Sequence, residues 1–482
     1  MAKLFTSVKE SEAWFQSKFG IGETFDATFK RVHLWGMPVG LIYINGLVDG
    51  QLLTSLLTEM QENYNQSDDY RNKPDNFLTY FPYHALSEAD DREKFLTDIL
   101  SGQVGFVIPD GFSFIADIRT YPGRQPEEPD TEKVIRGARD GFTENIVLNT
   151  ALIRRRLRTE DLRFEMHQTS LNSKTDVAIS FMKGAASEEH LSYIRKRLDD
   201  IKTDGLTMTD KSLEEFLFKQ RFHPMPFVRF TERPDICAAH LLEGHIAIIV
   251  DTSPSVILVP TTIFHHLQHA EEYRQAPFIG TFVRWVRLLG AMLSLFLLPL
   301  WYLLSTYQQY LPLSLAYIGP NDPGSVPLIV QVLIADVGIE VLRMAAIHTP
   351  TPMSTAMGLV AAIVIGQVAI DVGLFTAEVI LYVAVSAIFT FAIPSFELSI
   401  TTKIFRIFIL ICTAIFGAEG FFLSIVILFY YLASLKPLGT PYLWPAVPFF
   451  PKAMSRILIR YPMTVDAPRP FITKSPDRNR LS

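Results

Sequence analysis

The chain has 482 residues, 49% hydrophobic and 20% charged, with a formal net charge of −6. That length leaves room for two or three domains, and the mildly acidic balance argues against a basic nucleic-acid-binding surface. The two cysteines, Cys237 in a polar segment and Cys412 in an apolar one, exclude a disulfide-stapled secreted scaffold.

The average hides a break near Pro277. Mixed charged and apolar sequence precedes it, Leu-, Ile-, Val-, Ala- and Phe-rich sequence fills 278–435, and 436–482 is Pro-rich and basic. The opening MAKLFTSVKESEAWF has no uninterrupted apolar core and no small-residue cleavage site, so it does not read as a signal peptide.

The first unit, 1–125, reads as mixed α/β. A polar helix over 7–19 leads to a hairpin, with apolar stretches at Val32 and 39–44 around Trp35-Gly36-Met37-Pro38. A helix over 52–64 and a polar loop to Asn76 precede a strand pair, 103–108 and 113–118. Pro109-Asp110-Gly111 joins that pair: Pro presets one φ and Gly accepts a positive one.

The second unit, 126–235, follows an acidic, Pro-rich link over 125–130 and again reads as mixed α/β. A helix over 141–158 carries Phe142, Ile146, Leu148 and Leu152 inward. Arg154, Arg155, Arg156 and Arg158 crowd its last turns, where cations suit the helix dipole or could attract anionic lipid. Strands at Phe164 and 177–182 flank the turn 171–175, and helices follow over 188–201 and 210–219. A connector, 236–277, opens on a short helix framed by Pro234 and Gly244. Its β-hairpin, 246–250 and 256–259, turns at Asp251-Thr252-Ser253-Pro254-Ser255. His265, His266 and His269, with Glu271 and Glu272, offer one i, i+4 pair, His265 and His269, but no third ligand of separate origin. They read as a polar juxtamembrane helix, and no metal is expected.

The region 278–435 reads as a helical transmembrane bundle with apolar segments at 285–304, 326–347, 356–374, 377–393 and 404–432. About 20 apolar residues cross a hydrocarbon core of about 30 Å. The loop 306–325 lacks Lys and Arg and reads as external, while Lys403, Arg406 and the basic tail read as cytosolic. With the N-terminus also cytosolic, the crossings must be even in number. Either 326–347 is re-entrant or peripheral, leaving four, which is favoured; or 404–432 folds into two at Gly417-Ala418-Glu419-Gly420, giving six.

Asp336, Glu340 and Arg343 stack at i, i+4 and i+7 on one helix face. Ionisable groups at lipid depth must find water or a partner, so this stripe either faces a pore or intersubunit gap, or forms an internal salt bridge. Gln367, Asp371 and Glu378 form a polar seam or a pore lining. Glu419 marks a helix break, a gate or the outer interface. The sequence has no glycine-rich phosphate loop, nucleophile elbow, metalloprotease helix or Cys-x-x-Cys pair. No enzyme activity and no cofactor are expected.

Several runs carry a resemblance. They are Glu128-Pro129-Asp130-Thr131-Glu132-Lys133-Val134-Ile135-Arg136-Gly137, Gly141-Phe142-Thr143-Glu144-Asn145, Leu152-Ile153-Arg154-Arg155-Arg156 and Thr231-Glu232-Arg233-Pro234. Leu242-Glu243-Gly244, Ile365-Gly366-Gln367 and Thr440-Pro441-Tyr442-Leu443-Trp444-Pro445 extend it. Together they resemble the A subunits of GerA-type spore germination receptors over nearly the whole chain. The usual receptor subunit has Arg-Glu-Ala-Gly where this chain has Arg343-Met344-Ala345-Ala346. The resemblance implies a multi-pass protein of the spore inner membrane, in contact with lipid, that oligomerises with its own kind into a channel for monovalent cations. It also implies a second membrane protein as partner. A non-conducting scaffold or signalling subunit of such a complex is the alternative.

Overall fold

The computed structural model describes residues 4–19, 21, 27–34, 36–45, 47–66, 85–109, 112–120, 125–129, 131–218, 222–312, 314, 318–320, 324–348, 358–360, 362–462, 464–465 and 468–478. The chain divides into two compact units, Met1–Arg124 and Gln125–Ser482.

In the first unit, α1 (Val8–Phe19), β1 (Ala27–Leu34), β2 (Met37–Ile44), α2 (Gly50–Gln66), β3 (Leu86–Glu88), α3 (Arg92–Leu100), β4 (Val104–Val107) and β5 (Ser113–Ala116) follow in order. The strands form one antiparallel sheet, β1-β2-β4-β5-β3. Side chains alternate between its faces, and both faces are covered. Val39, Leu41, Val104 and Phe106 pack on Leu53, Leu56 and Met60 of α2. Ile42, Ile44, Val107 and Ile115 pack on Phe15 of α1 and on Phe95 and Ile99 of α3. The predicted hairpin is the β1–β2 pair, closed at Leu34↔Met37. Trp35, the Asp110-Gly111 turn and the polar loop to Asn76 (67–84) lie outside the described residues, although β4 and β5 pair from Val107↔Ser113.

The second unit repeats this layering. Its elements are α4 (Ile146–Arg156), β6 (Leu162–Thr169), β7 (Thr175–Met182), α5 (Glu188–Asp199), α6 (Thr209–Phe218), β8 (Arg229–Thr231), α7 (Pro234–Leu242), β9 (Ile246–Val250) and β10 (Val256–Val259). The sheet order is β6-β7-β9-β10-β8, so the hairpin at 246–259 completes the same sheet as the strands at Phe164 and 177–182. All five residues of β9 are buried because helices cover both faces. Ala247 and Ile249 meet α4 and α7, while Ile246, Ile248 and Val250 meet α5 and α6. The predicted helix over 141–158 starts late, at Ile146, because Asn145 caps it by accepting from the N–H groups of Val147 and Leu148.

The juxtamembrane histidine helix is two short helices, α8 (Ile263–Leu267) and α9 (Ala270–Arg274), broken at the extended Gln268 and His269. Then come α10 (Pro277–Thr306), α11 (Leu328–His348), a π-wound stretch Ala362–Val368, α12 (Ala377–Phe391), α13 (Phe396–Ser434) and α14 (Pro451–Leu458). Two of these, α10 and α13, are long and apolar enough to cross a membrane.

Side-chain contacts fix the relative direction of α11 and α12. Gln331, near the start of α11, accepts from the N–H of Thr376 at the start of α12, at 2.9 Å. Arg343, near the end of α11, lies 5.8 Å from the Phe391 ring at the end of α12. The two helices therefore run in the same direction.

Helix α13 reverses at Gly417 (φ 62, ψ −139). Phe405 and Tyr431 would stand ~39 Å apart on one continuous helix, yet their ring centroids are 5.9 Å apart. The predicted break in the last segment is thus a helical hairpin with arms 396–416 and 418–434. Gly417 suits the turn twice over: its positive φ favours glycine, and a Cβ there would strike the Tyr307 hydroxyl.

Candidate functional site

The bundle interior is organised by charge. Arg406, in the first arm of α13, is fully buried, and Asp336 of α11 is 1% exposed. The Arg406 guanidinium donates to both Asp336 carboxylate oxygens, at 2.6 and 3.3 Å. Its other terminal nitrogen donates to the Ser294 carbonyl of α10 at 2.9 Å, and to Ser386 Oγ and Thr390 Oγ1 of α12 at 2.6 and 3.2 Å. One side chain therefore ties four helices together, and its donors are matched by acceptors aimed at them.

A second rung follows one helical turn away. Lys403 Nζ lies 3.0 Å from Glu340 Oε2 and 3.6 Å from Asp336 Oδ1. Arg343 Nε donates to Glu340 Oε1 at 2.9 Å and a terminal nitrogen to Ser399 Oγ at 3.1 Å. Asp336, Glu340 and Arg343 all lie on α11, the first buried and the other two partly buried. What spacing could not show was their partners. Lys403 and Arg406, expected as cytosolic loop charges, sit inside α13 and neutralise Asp336 and Glu340. Three cations against two carboxylates close the network within one subunit.

The other candidates lie elsewhere. Gln367 and Asp371 are exposed, at the π-wound stretch and the short helix Ala369–Asp371 after it. Their neighbours Ile363, Val364, Val368 and Val372 are exposed apolar residues. Asp371 has no ion-pair partner among the described residues. Glu378 is partly buried in the first turn of α12, and Gly373 at φ 71 interrupts the helix between it and Asp371. Glu419 is exposed just past the reversal at Gly417. Residues 356, 357 and 361 of the segment 356–374 lie outside the described residues.

Polar contacts also fasten the sheet region to the bundle. Lys211 of α6 bridges Glu214, at 2.6 Å, and Glu397 in the first turn of α13, at 3.4 Å. Burial raises the Glu214 carboxyl to about 7 against the pull of Lys211. Thr401 Oγ1 donates to the Pro224 carbonyl, and Tyr442 Oη to the Pro226 carbonyl at 2.9 Å. Glu272 of α9, fully buried, accepts from Arg284 at 2.7 Å and pairs with Arg287.

The histidines do not converge on an ion. His265 Nδ1 accepts from Thr262 N, closing a capping box, and His269 Nδ1 accepts from Glu271 N, capping α9. Burial pushes His265 and His240 well below the ordinary imidazole value, and His245 to about 4. Among the described residues no group of three or more acidic, histidine or cysteine side chains could hold a metal. The arginines at the end of α4 are engaged locally: Arg154 donates to the Thr159 and Leu162 carbonyls, and Arg156 pairs with Asp140.

A layered α/β region joined to a helical bundle with a buried ionic core and two helices of membrane-crossing length marks a membrane protein. The family profile of the Bacillus/Clostridium GerA spore germination protein matches residues 14–472. The chain belongs to that family.

Among relatives, it is 46% identical to stage V sporulation protein AF of Bacillus subtilis (strain 168), over 99% of this chain and 97% of that one. It is 28% identical to spore germination protein KA of the same organism, over 96% and 87%. A solved structure, the N-terminal domain of the A subunit of the Bacillus megaterium spore germinant receptor GerK3, aligns at 26% identity. It covers 54% of this chain and 96% of its own, with a TM-score of 0.22, too low for the superposition to bear on the fold. The chain is accordingly a membrane-associated subunit of a GerA-type spore germination complex.

Proposed function

We propose that this subunit oligomerises in the spore inner membrane into a conduit for monovalent cations, alongside a second membrane protein, with both termini cytosolic. On this reading the helical runs are six crossings: α10, α11, the stretch through 358–371, α12 and the two arms of α13. The conduit is lined by Gln367 and Asp371 rather than by the α11 stripe.

One observation carries the assignment. Asp371 and Gln367 stand on an outward, apolar face, whereas the acids of α11 are already neutralised inside the subunit. A carboxylate among lipid tails is costly. A second copy facing it across water removes that cost and produces rings of acidic side chains, a familiar device for cation passage. π-Winding, which recurs at functional sites, falls on the same segment.

The test is cation flux through liposomes holding the purified oligomer. Wild type should pass K⁺ and Na⁺, and Asp371→Lys, which reverses the charge of the ring, should lower the flux with the oligomer intact. A tight bilayer with a folded wild-type oligomer would instead favour the scaffold, which the closed network of Asp336 and Arg406 and the Lys211–Glu397 link would equally serve.

A further inference from the structure

The C-terminal stretch borders an open cleft of about 910 Å³ that the proposed cation path does not use. Its floor is built by α8 and Tyr273 of the connector, and its walls by α14 and the segment 468–478. Lys452, Arg456, Arg469 and Arg478 line it against one carboxylate, Glu243. Trp444, Phe450 and Phe471 give it aromatic walls. Much of this charge is already engaged: Arg469 pairs with Asp477 at 2.7 Å and donates to the Leu242 carbonyl, Arg456 also has a partner within the chain, and Arg478 lies over the Phe471 ring.

Two further observations say what the cavity takes. Trp444 is 7% exposed, and its indole N–H has no acceptor among the described residues. A buried donor without a partner is costly, so a ligand supplying an oxygen there is favoured. The cavity is also held at the level where the apolar helix α10 begins. Trp285 Nε1 donates to the Leu458 carbonyl at 2.7 Å, and Arg284 to the Arg456 carbonyl at 2.9 Å. Trp285 itself is exposed, as tryptophans at a membrane interface are. Beside the mouth, Leu458, Ile459 and Tyr461 are exposed as well. Cations, an unmet donor and an apolar wall at the headgroup level together match a phosphate that carries acyl chains.

We propose that this cavity binds the headgroup of an anionic phospholipid, with its acyl chains leaving along α14 and α10. The bound lipid would tie the C-terminal segment to the connector and to the start of the bundle.

The test uses full-length protein in detergent, titrated with phosphatidylglycerol, phosphatidylcholine and inorganic phosphate and followed by native mass spectrometry. Phosphatidylglycerol should bind at least tenfold tighter than phosphatidylcholine, the lipid that lacks net negative charge. Each cation near a membrane surface is worth about fivefold, so Arg456→Gln with Arg478→Gln should weaken phosphatidylglycerol by about 25-fold. Trp444→Phe, which keeps the ring and removes the donor, guards against misfolding and should still weaken it several-fold. Equal affinity for the two lipids would overturn the proposal. So would displacement of phosphatidylglycerol by millimolar phosphate, which would mark a site for soluble anions.

Discussion

The second sheet and the helical bundle belong to one compact unit but hold their interiors together by different means. The sheet core is aliphatic: Ile246, Ile248, Val250, Ile257 and Val259 interlock with Leu191, Ile194, Leu213 and Leu217. Water outside drives that packing. The bundle cannot rely on the same force if its surroundings are lipid, since tails are as apolar as leucine. Its centre instead carries Arg406 and Asp336, fully desolvated and bonded to four helices. Apolar packing serves the part in water, and polar bonding gives register to the part in lipid.

The largest expected effect separates the two modes by rescue. Asp336→Leu strands a buried guanidinium and should cost about 3–5 kcal/mol, whereas Asp336→Leu with Arg406→Met should regain most of it. Melting in detergent measures this, and a double variant no better than the single would break the contrast. Ile248→Ala should cost about 2–5 kcal/mol by leaving a cavity, with no single second-site partner able to restore it; full rescue by one distant substitution would contradict the packing account.

Acid should sharpen the comparison with a smaller effect. His245 and His266 are held neutral by burial, with values of about 4 and about 3 against an ordinary 6.5. The unfolded chain therefore binds protons that the folded one refuses, so stability is full above pH 6.5 and falls as the pH drops below it. Each group contributes about 1.4 kcal/mol per pH unit over that window. His245→Phe should flatten the slope of stability against pH, and an unchanged slope would remove this histidine from the account.

Much of the layered region was legible in the sequence because each device there is local. Apolar strand runs, and the Pro234 start and Gly244 end of a short helix, act within a few residues; the Asn145 cap that starts α4 late was missed. The bundle was legible only by halves. Helical spacing put Asp336, Glu340 and Arg343 on one face, but Lys403 and Arg406 are their partners from 60 and more residues away. In sequence those cations looked like loop charges. A hint was present, since Lys403 and Arg406 are themselves spaced to share a helix face with Ser399 and Leu410. The reversal at Gly417 was visible as a possible break, yet glycine alone does not distinguish a bend from a hairpin; the packing of Phe405 on Tyr431 does.

The account rests on α11 turning its acids toward α13 while Gln367 and Asp371 turn toward water. The most direct measurement places single cysteines at 336, 340, 367 and 371, in a background with Cys237 and Cys412 replaced, and times their reaction with a membrane-impermeant thiol reagent in liposomes. Positions 367 and 371 should react readily, and 336 should stay protected. Rapid labelling at 336, or protection at 371, would contradict it.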